Sequence, residues 1–194
     1  MTEAISLNTR CHFQTERLAV QSWQNSFVGA TGGAGMDKAE SDKVDFAKKV
    51  IRILTPAVTE SLPDGWQGID TLAQANDWIN DRVQESVFLT VQSLASQDVI
   101  GFLFLHESPS AASSKLELKI GYLLAESVWG KGLGSELIGG LVNWCEADGD
   151  VASIAGGVDP ENKASIQVLE KNGFQRSSEG SSKQVVFLER KLST

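Results

Sequence analysis

Three glycines at alternate positions, Gly130, Gly132 and Gly134, stand where an apolar segment ends and a helical pattern begins. Without side chains, the backbone can adopt conformations closed to other residues, and an anion can approach the amides. Successive N–H groups then converge at the positive end of a helix, where phosphate binds. Residues 130–135 therefore form a candidate phosphate-binding turn, although a ligand-free connection between a strand and a helix could have the same glycines.

The spacing of this turn excludes two common phosphate-binding motifs. A Walker loop requires Gly-x-x-x-x-Gly-Lys-Ser/Thr, whereas Lys131 lies between the first two glycines. A dinucleotide-binding fingerprint requires Gly-x-Gly-x-x-Gly and a later acidic residue at the end of a second strand, and the three glycines do not have that spacing. If the turn binds a phosphate, it does so as a third kind of site.

The segment Trp129-Gly130-Lys131-Gly132-Leu133-Gly134 resembles the acyl-CoA pyrophosphate loop of the GNAT acetyltransferase superfamily, Gln/Arg-x-x-Gly-x-Gly/Ala. Trp129 replaces the usual Gln or Arg, as it often does in the ribosomal-protein N-terminal acetyltransferase branch. Segments 15–20, 121–124 and 162–174 resemble the first strand, the fourth strand and the second conserved helix of that branch, in the same order. The resemblance covers residues 13–190.

The chain also shows the element order of an α/β (α+β) fold. Helical periodicity is found in residues 38–54, 71–87 and 135–145, and strand patterns in 14–20, 87–94, 99–106, 116–124, 151–158 and 185–188. This order predicts a sheet with helices on both faces, and the resemblance implies a GNAT-like, mixed and mostly antiparallel sheet. We expect one domain, 1–194, containing a mobile glycine-rich loop at 29–35.

The resemblance implies acetyl-CoA as co-substrate. Its pantetheine arm would lie between the strands ending at Leu124 and near Val158, bonded to the backbone of Tyr122, Leu123 and Leu124. The pyrophosphate would bind the turn made of Gly130, Lys131, Gly132, Leu133, Gly134 and Ser135. Asn162 would hydrogen-bond the cofactor from the other side, or serve as a helix cap.

Acetyl transfer to an amine raises two proton questions, since the amine must lose a proton and the departing thiolate benefits from receiving one. Many family members supply the second proton from a tyrosine, but that position is Leu169 here. Ser165, one turn earlier, is the candidate replacement, or it packs against the cofactor. Glu117 is the candidate base, or a solvated carboxylate; the branch often has Glu two positions later, where this chain has Lys119.

Composition excludes several classes of function. The net charge of -8 argues against nucleic-acid binding and suits a cationic acceptor such as an amine. No apolar run is long enough for a membrane span, and no leader precedes the chain, so we expect a cytoplasmic protein without membrane partners. Cys11 and Cys145 are expected to be structural thiols, and the two histidines are too few for most metal sites.

The resemblance implies an acetyl-CoA-dependent N-acetyltransferase that works by direct attack in a ternary complex, with a protein N-terminal amine as acceptor, such as that of a ribosomal protein. A small-molecule acetyltransferase acting on polyamines or aminoglycosides is the alternative within the enzymes. A catalytically silent acyl-CoA-binding module is the alternative outside them. A homodimer is compatible with the sequence, since dimers are the commonest assembly.

Overall fold

The computed structural model describes residues 6–24, 36–110, 113–178 and 181–192. The glycine-rich loop predicted at 29–35 lies outside the described residues. Eight strands and six helices are described: α1 (Leu7–Arg10), β1 (Phe13–Gln14), β2 (Leu18–Ser22), α2 (Met36–Ile53), α3 (Pro56–Thr59), α4 (Leu72–Glu85), β3 (Val87–Ser93), β4 (Val99–Pro109), β5 (Leu116–Leu124), α5 (Leu133–Asp148), β6 (Val151–Val158), α6 (Lys163–Lys171), β7 (Gln175–Ser177) and β8 (Val186–Lys191).

All eight strands form one sheet in the order β1-β2-β3-β4-β5-β6-β8-β7. Its neighbouring strands are antiparallel except β5 and β6, which are parallel and are joined through α5. A parallel pair needs such a crossover, whereas antiparallel neighbours can be joined by a short turn, as β3 is to β4 and β4 is to β5. The predicted fold class, a mixed and mostly antiparallel sheet with helices on both faces, is confirmed.

Each face of the sheet has its own hydrophobic core. On one face α5 and α6 bury aliphatic side chains, among them Leu118, Leu137 and Leu141. On the other, α2 and α4 cover β3 and β4 with an aromatic cluster. Trp78 is 2% exposed there and packs edge-on against Trp66 with ring centroids 5.4 Å apart. Trp78 is therefore a core residue.

The first strand differs from the prediction, which was wrong to treat residues 14–20 as one strand. The chain turns at Thr15, whose N–H donates to the Leu18 oxygen at 2.9 Å, and this turn separates β1 from β2. The Thr15 hydroxyl also accepts from the Leu18 N–H at 3.1 Å. A threonine that bonds its own backbone neighbours favours a turn over a continuous strand. The short helix α1 was not predicted.

Both cysteines are free and buried in the core beside α5. Burial raises the pKa of Cys11 to about 12 and raises that of Cys145 as well. Cys11 raises the pKa of Cys145 further, and the Asp148 charge raises the pKa of both thiols. Thiols held in the protonated form are poor nucleophiles. The prediction that they are structural is supported.

Among the described helices, none has the length and apolar character required to cross a membrane.

Candidate active site

The parallel ladder between β5 and β6 opens towards the C-terminal ends of the two strands. Its last matched pair is Ile120 and Gly156, whereas β5 continues to Leu124 and β6 to Val158. Over residues 116–124 and 151–158, all of which are described, no later pair forms. We call the space between residues 121–124 and 157–158 the gap.

Successive residues of β5 direct their backbone N–H and C=O groups alternately towards β4 and towards the gap. The Ala125 N–H donates to the Ile100 oxygen on the β4 side at 2.8 Å. Alternate residues of β5 therefore direct their backbone groups to β4, and Leu123 is one of them. Tyr122 and Leu124 direct theirs into the gap. The Leu124 oxygen accepts from the Trp129 indole N–H at 2.8 Å, which leaves the Tyr122 groups and the Leu124 N–H for a ligand.

The glycine turn, residues 130–135, follows directly. Gly130 and Gly132 have φ of +72° and +76°, a region where other residues are strained, and α5 begins after Gly132. None of the N–H groups of residues 130–135 donates to an acceptor in the described part of the chain, whereas the Glu136 N–H bonds the Gly132 oxygen. A run of free amides at the start of a sixteen-residue helix is suited to a pyrophosphate.

A charged contact holds this turn from the side. Arg17 donates through Nη1 to the Lys131 oxygen at 3.0 Å and through Nε to Glu136 Oε2 at 2.6 Å. Glu136 lies in the first turn of α5, where its carboxylate would repel a phosphate if it were unpaired. Arg17 neutralises that charge and fixes a carbonyl of the turn.

Asn162 caps α6, since its Oδ1 accepts from the Ser165 N–H at 3.0 Å. The cap fixes the first turn of α6 next to the end of β6. Its Nδ2 donates to no acceptor among the described residues, so the cap leaves an N–H pair for a ligand. The two predicted roles of Asn162 are therefore compatible with each other.

Ser165 on α6 and Tyr122 on β5 are brought together, although they are 43 positions apart in sequence. The Tyr122 hydroxyl is buried, and no hydrogen bond of regular geometry reaches it from the described residues. Burial raises the pKa of Tyr122 to about 12, and the neighbouring Ser165 hydroxyl lowers it in part. We infer that the two hydroxyls are adjacent without being fully aligned.

Leu169, at the position of the usual tyrosine, is 1% exposed and belongs to the core. Its Cδ1 lies 3.2 Å from the place that a Cβ on Gly156 would occupy, so it packs at the closed end of the gap. It has no donor for a leaving group.

The structure does not bring Glu117 to Ser165. Glu117 lies opposite Ser108 in the closed part of the ladder, and its Oε1 accepts from the Ser110 hydroxyl at 2.8 Å. The side chain of Glu117 lies on the opposite face of the sheet from that of Tyr122, because side chains alternate along a strand and the two residues are an odd number of positions apart. Along the strand it is about 13 Å from Gly121. Its role as base stays a prediction.

The family model described as Acetyltransferase (GNAT) domain matches residues 39–175, more than two thirds of the chain. The chain belongs to the GNAT acetyltransferase family. It is an acetyl-CoA-dependent N-acetyltransferase, with acetyl-CoA as co-substrate, and the open gap and the free amides of the glycine turn fit that molecule.

Three known proteins illustrate the likeness. The uncharacterized protein YkkB of Bacillus subtilis is 26% identical over 115 residues, 58% of this chain and 67% of that protein. A GNAT-family acetyltransferase of Bacillus anthracis has the same fold, with a TM-score of 0.69 at 15% identity over 93% of this chain and 98% of that one. RimL, a ribosomal alpha-N-protein acetyltransferase in complex with coenzyme A, gives 0.67 at 16% identity over 94% and 98%.

The contact of Arg17 with Glu136 was missed from the sequence. The segment Thr15-Glu16-Arg17-Leu18 resembles the first strand of the family, but that resemblance implies no role for Arg17. One signal was present: an acidic residue in the first turn of a helix that binds phosphate would repel the phosphate unless a cation pairs with it. Clusters of three or more His, Cys, Asp or Glu that could hold a metal are absent from the described residues.

Proposed function

We propose that this enzyme acetylates the free N-terminal amine of a protein, by direct attack on acetyl-CoA in a ternary complex. The observation that carries the proposal is an uncovered part of the sheet beside the gap. On the face opposite α5 and α6, the aromatic core covers β3 and β4, whereas Lys119 on β5 and Gly157 on β6 are exposed. We call this surface, formed by that face of β5, β6 and β8, the open face.

The open face gives an acceptor access to the gap. Gly121 lies on it at the start of the gap, and a Cβ there would meet only Phe104 Cδ2, at 3.9 Å. The row of residues beside it runs from His106 through Lys119 and Ala155 to Glu189, as the strand registers show. An amine can therefore approach the gap from the side opposite to α5 and α6.

The shape and charge of the open face favour a chain end as acceptor. It spans three neighbouring strands and carries both cationic and anionic side chains, which suits an extended peptide with its own backbone and charges. The net charge of -8 attracts the ammonium form of an amine. RimL, which shares the fold, is by its name an acetyltransferase of a ribosomal protein's alpha-amine, and this supports the same class of acceptor here.

Mass spectrometry of candidate acceptors after incubation with acetyl-CoA tests the proposal. The panel contains peptides with a free N-terminal amine, the same peptides with the N-terminus blocked and an internal lysine kept, a polyamine and an aminoglycoside. We expect acetylation of the free N-terminal amine and none of the blocked peptides. Acetylation confined to the polyamine or the aminoglycoside would contradict the proposal and favour a small-molecule enzyme.

A further inference from the structure

Tyr122 has a buried hydroxyl for which the described residues supply no hydrogen bond of regular geometry. Buried polar groups nearly always have a partner, so an orphan in a native structure points to a water or a ligand. Tyr122 lies two residues beyond Ile120, the last residue of β5 that pairs with β6. The hydroxyl therefore belongs to the part of the strand where the ladder is open.

The side chain of Tyr122 is on the face of β5 that packs against α5 and α6. Leu118, Ile120 and Leu124, its neighbours at alternate positions, belong to that core, and Tyr122 packs against it. Ser165 approaches from the first turn of α6, which the Asn162 cap holds in place. The Ser165 hydroxyl is a neighbour of the Tyr122 hydroxyl, since it lowers the pKa of Tyr122 in part.

Resting on the assignment of acetyl-CoA to the gap, we propose that Tyr122 donates a hydrogen bond to the sulfur of acetyl-CoA as the thioester breaks. Ser165 donates in turn to the Tyr122 oxygen and orients it. Tyr122, on the strand β5, thereby supplies the hydrogen-bond donor that Leu169, on the helix α6, lacks. Tyr122 is the catalytic residue in this proposal, and Ser165 is a positioning residue.

The step balances without a net proton from the protein. The neutral amine nitrogen attacks the carbonyl carbon, the C–N bond forms, and the nitrogen loses a proton to solvent. As the C–S bond breaks, its electron pair goes to sulfur, giving coenzyme A thiolate, which solvent later protonates. Tyr122, with a pKa raised to about 12, keeps its proton because a thiol with a pKa of about 8.5 is the stronger acid. Tyr122 stabilises the thiolate by its hydrogen bond alone.

The chain offers a direct probe, since Tyr122 is its only tyrosine. With tyrosine labelled by ¹³C at Cζ, a single resonance reports this ring. Coenzyme A, which has the thiol, should shift that resonance, and desulfo-coenzyme A, which lacks the sulfur, should shift it by less than half as much. Equal shifts from the two ligands would overturn the proposal. If neither ligand binds, the assignment of the cofactor itself fails, which is a different result.

Kinetics provides the second test. We expect Tyr122→Phe to lower kcat by roughly a hundred- to a thousandfold, the range found when one donor to a developing anion is removed. The affinity for coenzyme A should stay within about twofold of wild type. Ser165→Ala should lower kcat less, and the double variant should resemble Tyr122→Phe, because Ser165 acts through Tyr122. Ser22→Ala removes a buried hydroxyl on β2 and is the control. An unchanged kcat in Tyr122→Phe, with chemistry rate-limiting, would overturn the proposal.

Discussion

Arg17 and Glu136, 119 positions apart in sequence, form a two-point ion pair beside the glycine turn. Nε and Nη2 of Arg17 each lie 2.6 Å from Glu136 Oε2, while the Arg17 N–H donates to Oε1 at 2.8 Å. The Thr15 hydroxyl donates to the same Oε1 at 2.6 Å. The turn between β1 and β2 is thus bound to the first turn of α5, which carries the phosphate-binding amides.

Glu136→Gln should destabilise the protein at neutral pH. Burial raises the pKa of Glu136, but the hydrogen bonds from Thr15 and Arg17 and the Arg17 charge outweigh that effect, so the pKa lies below the ordinary value of 4.5. A carboxylate with a lowered pKa stabilises the fold above about pH 4.5 and loses that effect as pH falls. We expect a loss of about 1 to 2 kcal/mol at pH 7.

Urea unfolding of wild type and Glu136→Gln across the acid range measures this difference. The difference in unfolding free energy between the two proteins should narrow as the pH falls below about 4.5, because protonation of Glu136 then removes the advantage of the wild type. A difference that stays constant down to acid pH would mean that Glu136 acts through packing and not through its charge.

Gly132→Ala should weaken acetyl-CoA binding more than an equally strained substitution elsewhere. Gly132 and Gly149 have φ of +76° and +78°, and neither position meets a close neighbour when a Cβ is added. Each alanine therefore costs about 1 to 2 kcal/mol of stability through its backbone conformation. Gly149 ends α5, whereas Gly132 begins it.

Calorimetric titration of both variants with acetyl-CoA separates strain from binding. We expect Gly149→Ala to bind like wild type, and Gly132→Ala to bind at least about tenfold more weakly, the equivalent of roughly 1.4 kcal/mol. Equal affinities in the two variants would place the pyrophosphate away from the glycine turn.

The sequence predicts the features that depend on neighbouring residues and misses those that depend on contacts between distant segments. The glycine turn and the helix after it were predictable because their signals are local: glycine spacing and apolar periodicity. The break between β1 and β2 was not, since a threonine hydroxyl decides it. Neither was the contact of Arg17 with Glu136, or that of Tyr122 with Ser165, because only the fold brings these segments together.

Gly140→Ala should be destabilising, although alanine normally favours a helix by about 1 kcal/mol over glycine. A Cβ on Gly140 would lie 2.6 Å from Thr15 Cγ2 and 2.8 Å from Phe13 Cε2, so β1 would have to move away from α5. Overpacking of this kind costs about 1 to 3 kcal/mol. Thermal unfolding measures the loss, with Gly139→Ala, whose Cβ meets the Asn172 side-chain oxygen at 3.1 Å, as the milder comparison. A higher Tm in Gly140→Ala would contradict the close approach of β1.

Tyr122 should make the stability of the protein decline in alkali. Its pKa is raised from 10.0 to about 12 by burial, so the folded state holds the proton more tightly and stability falls as pH rises through this interval. Between about pH 9 and about pH 11 wild type should lose on the order of 1 kcal/mol more than Tyr122→Phe, which has no hydroxyl to ionise. Urea unfolding at the two pH values measures it. Equal losses would show that the hydroxyl is accessible to water.

The most direct test is an NMR titration of ¹⁵N-labelled protein with acetyl-CoA. The central claim is that the pyrophosphate binds the free amides of residues 130–135 and that the pantetheine arm lies in the gap beside Tyr122 and Leu124. We predict that the largest amide shifts occur at these residues, with small shifts at Leu123, whose N–H faces β4, and at Gly149, at the far end of α5. Saturable binding with its largest shifts elsewhere, or an absence of shifts at millimolar acetyl-CoA, would contradict the account.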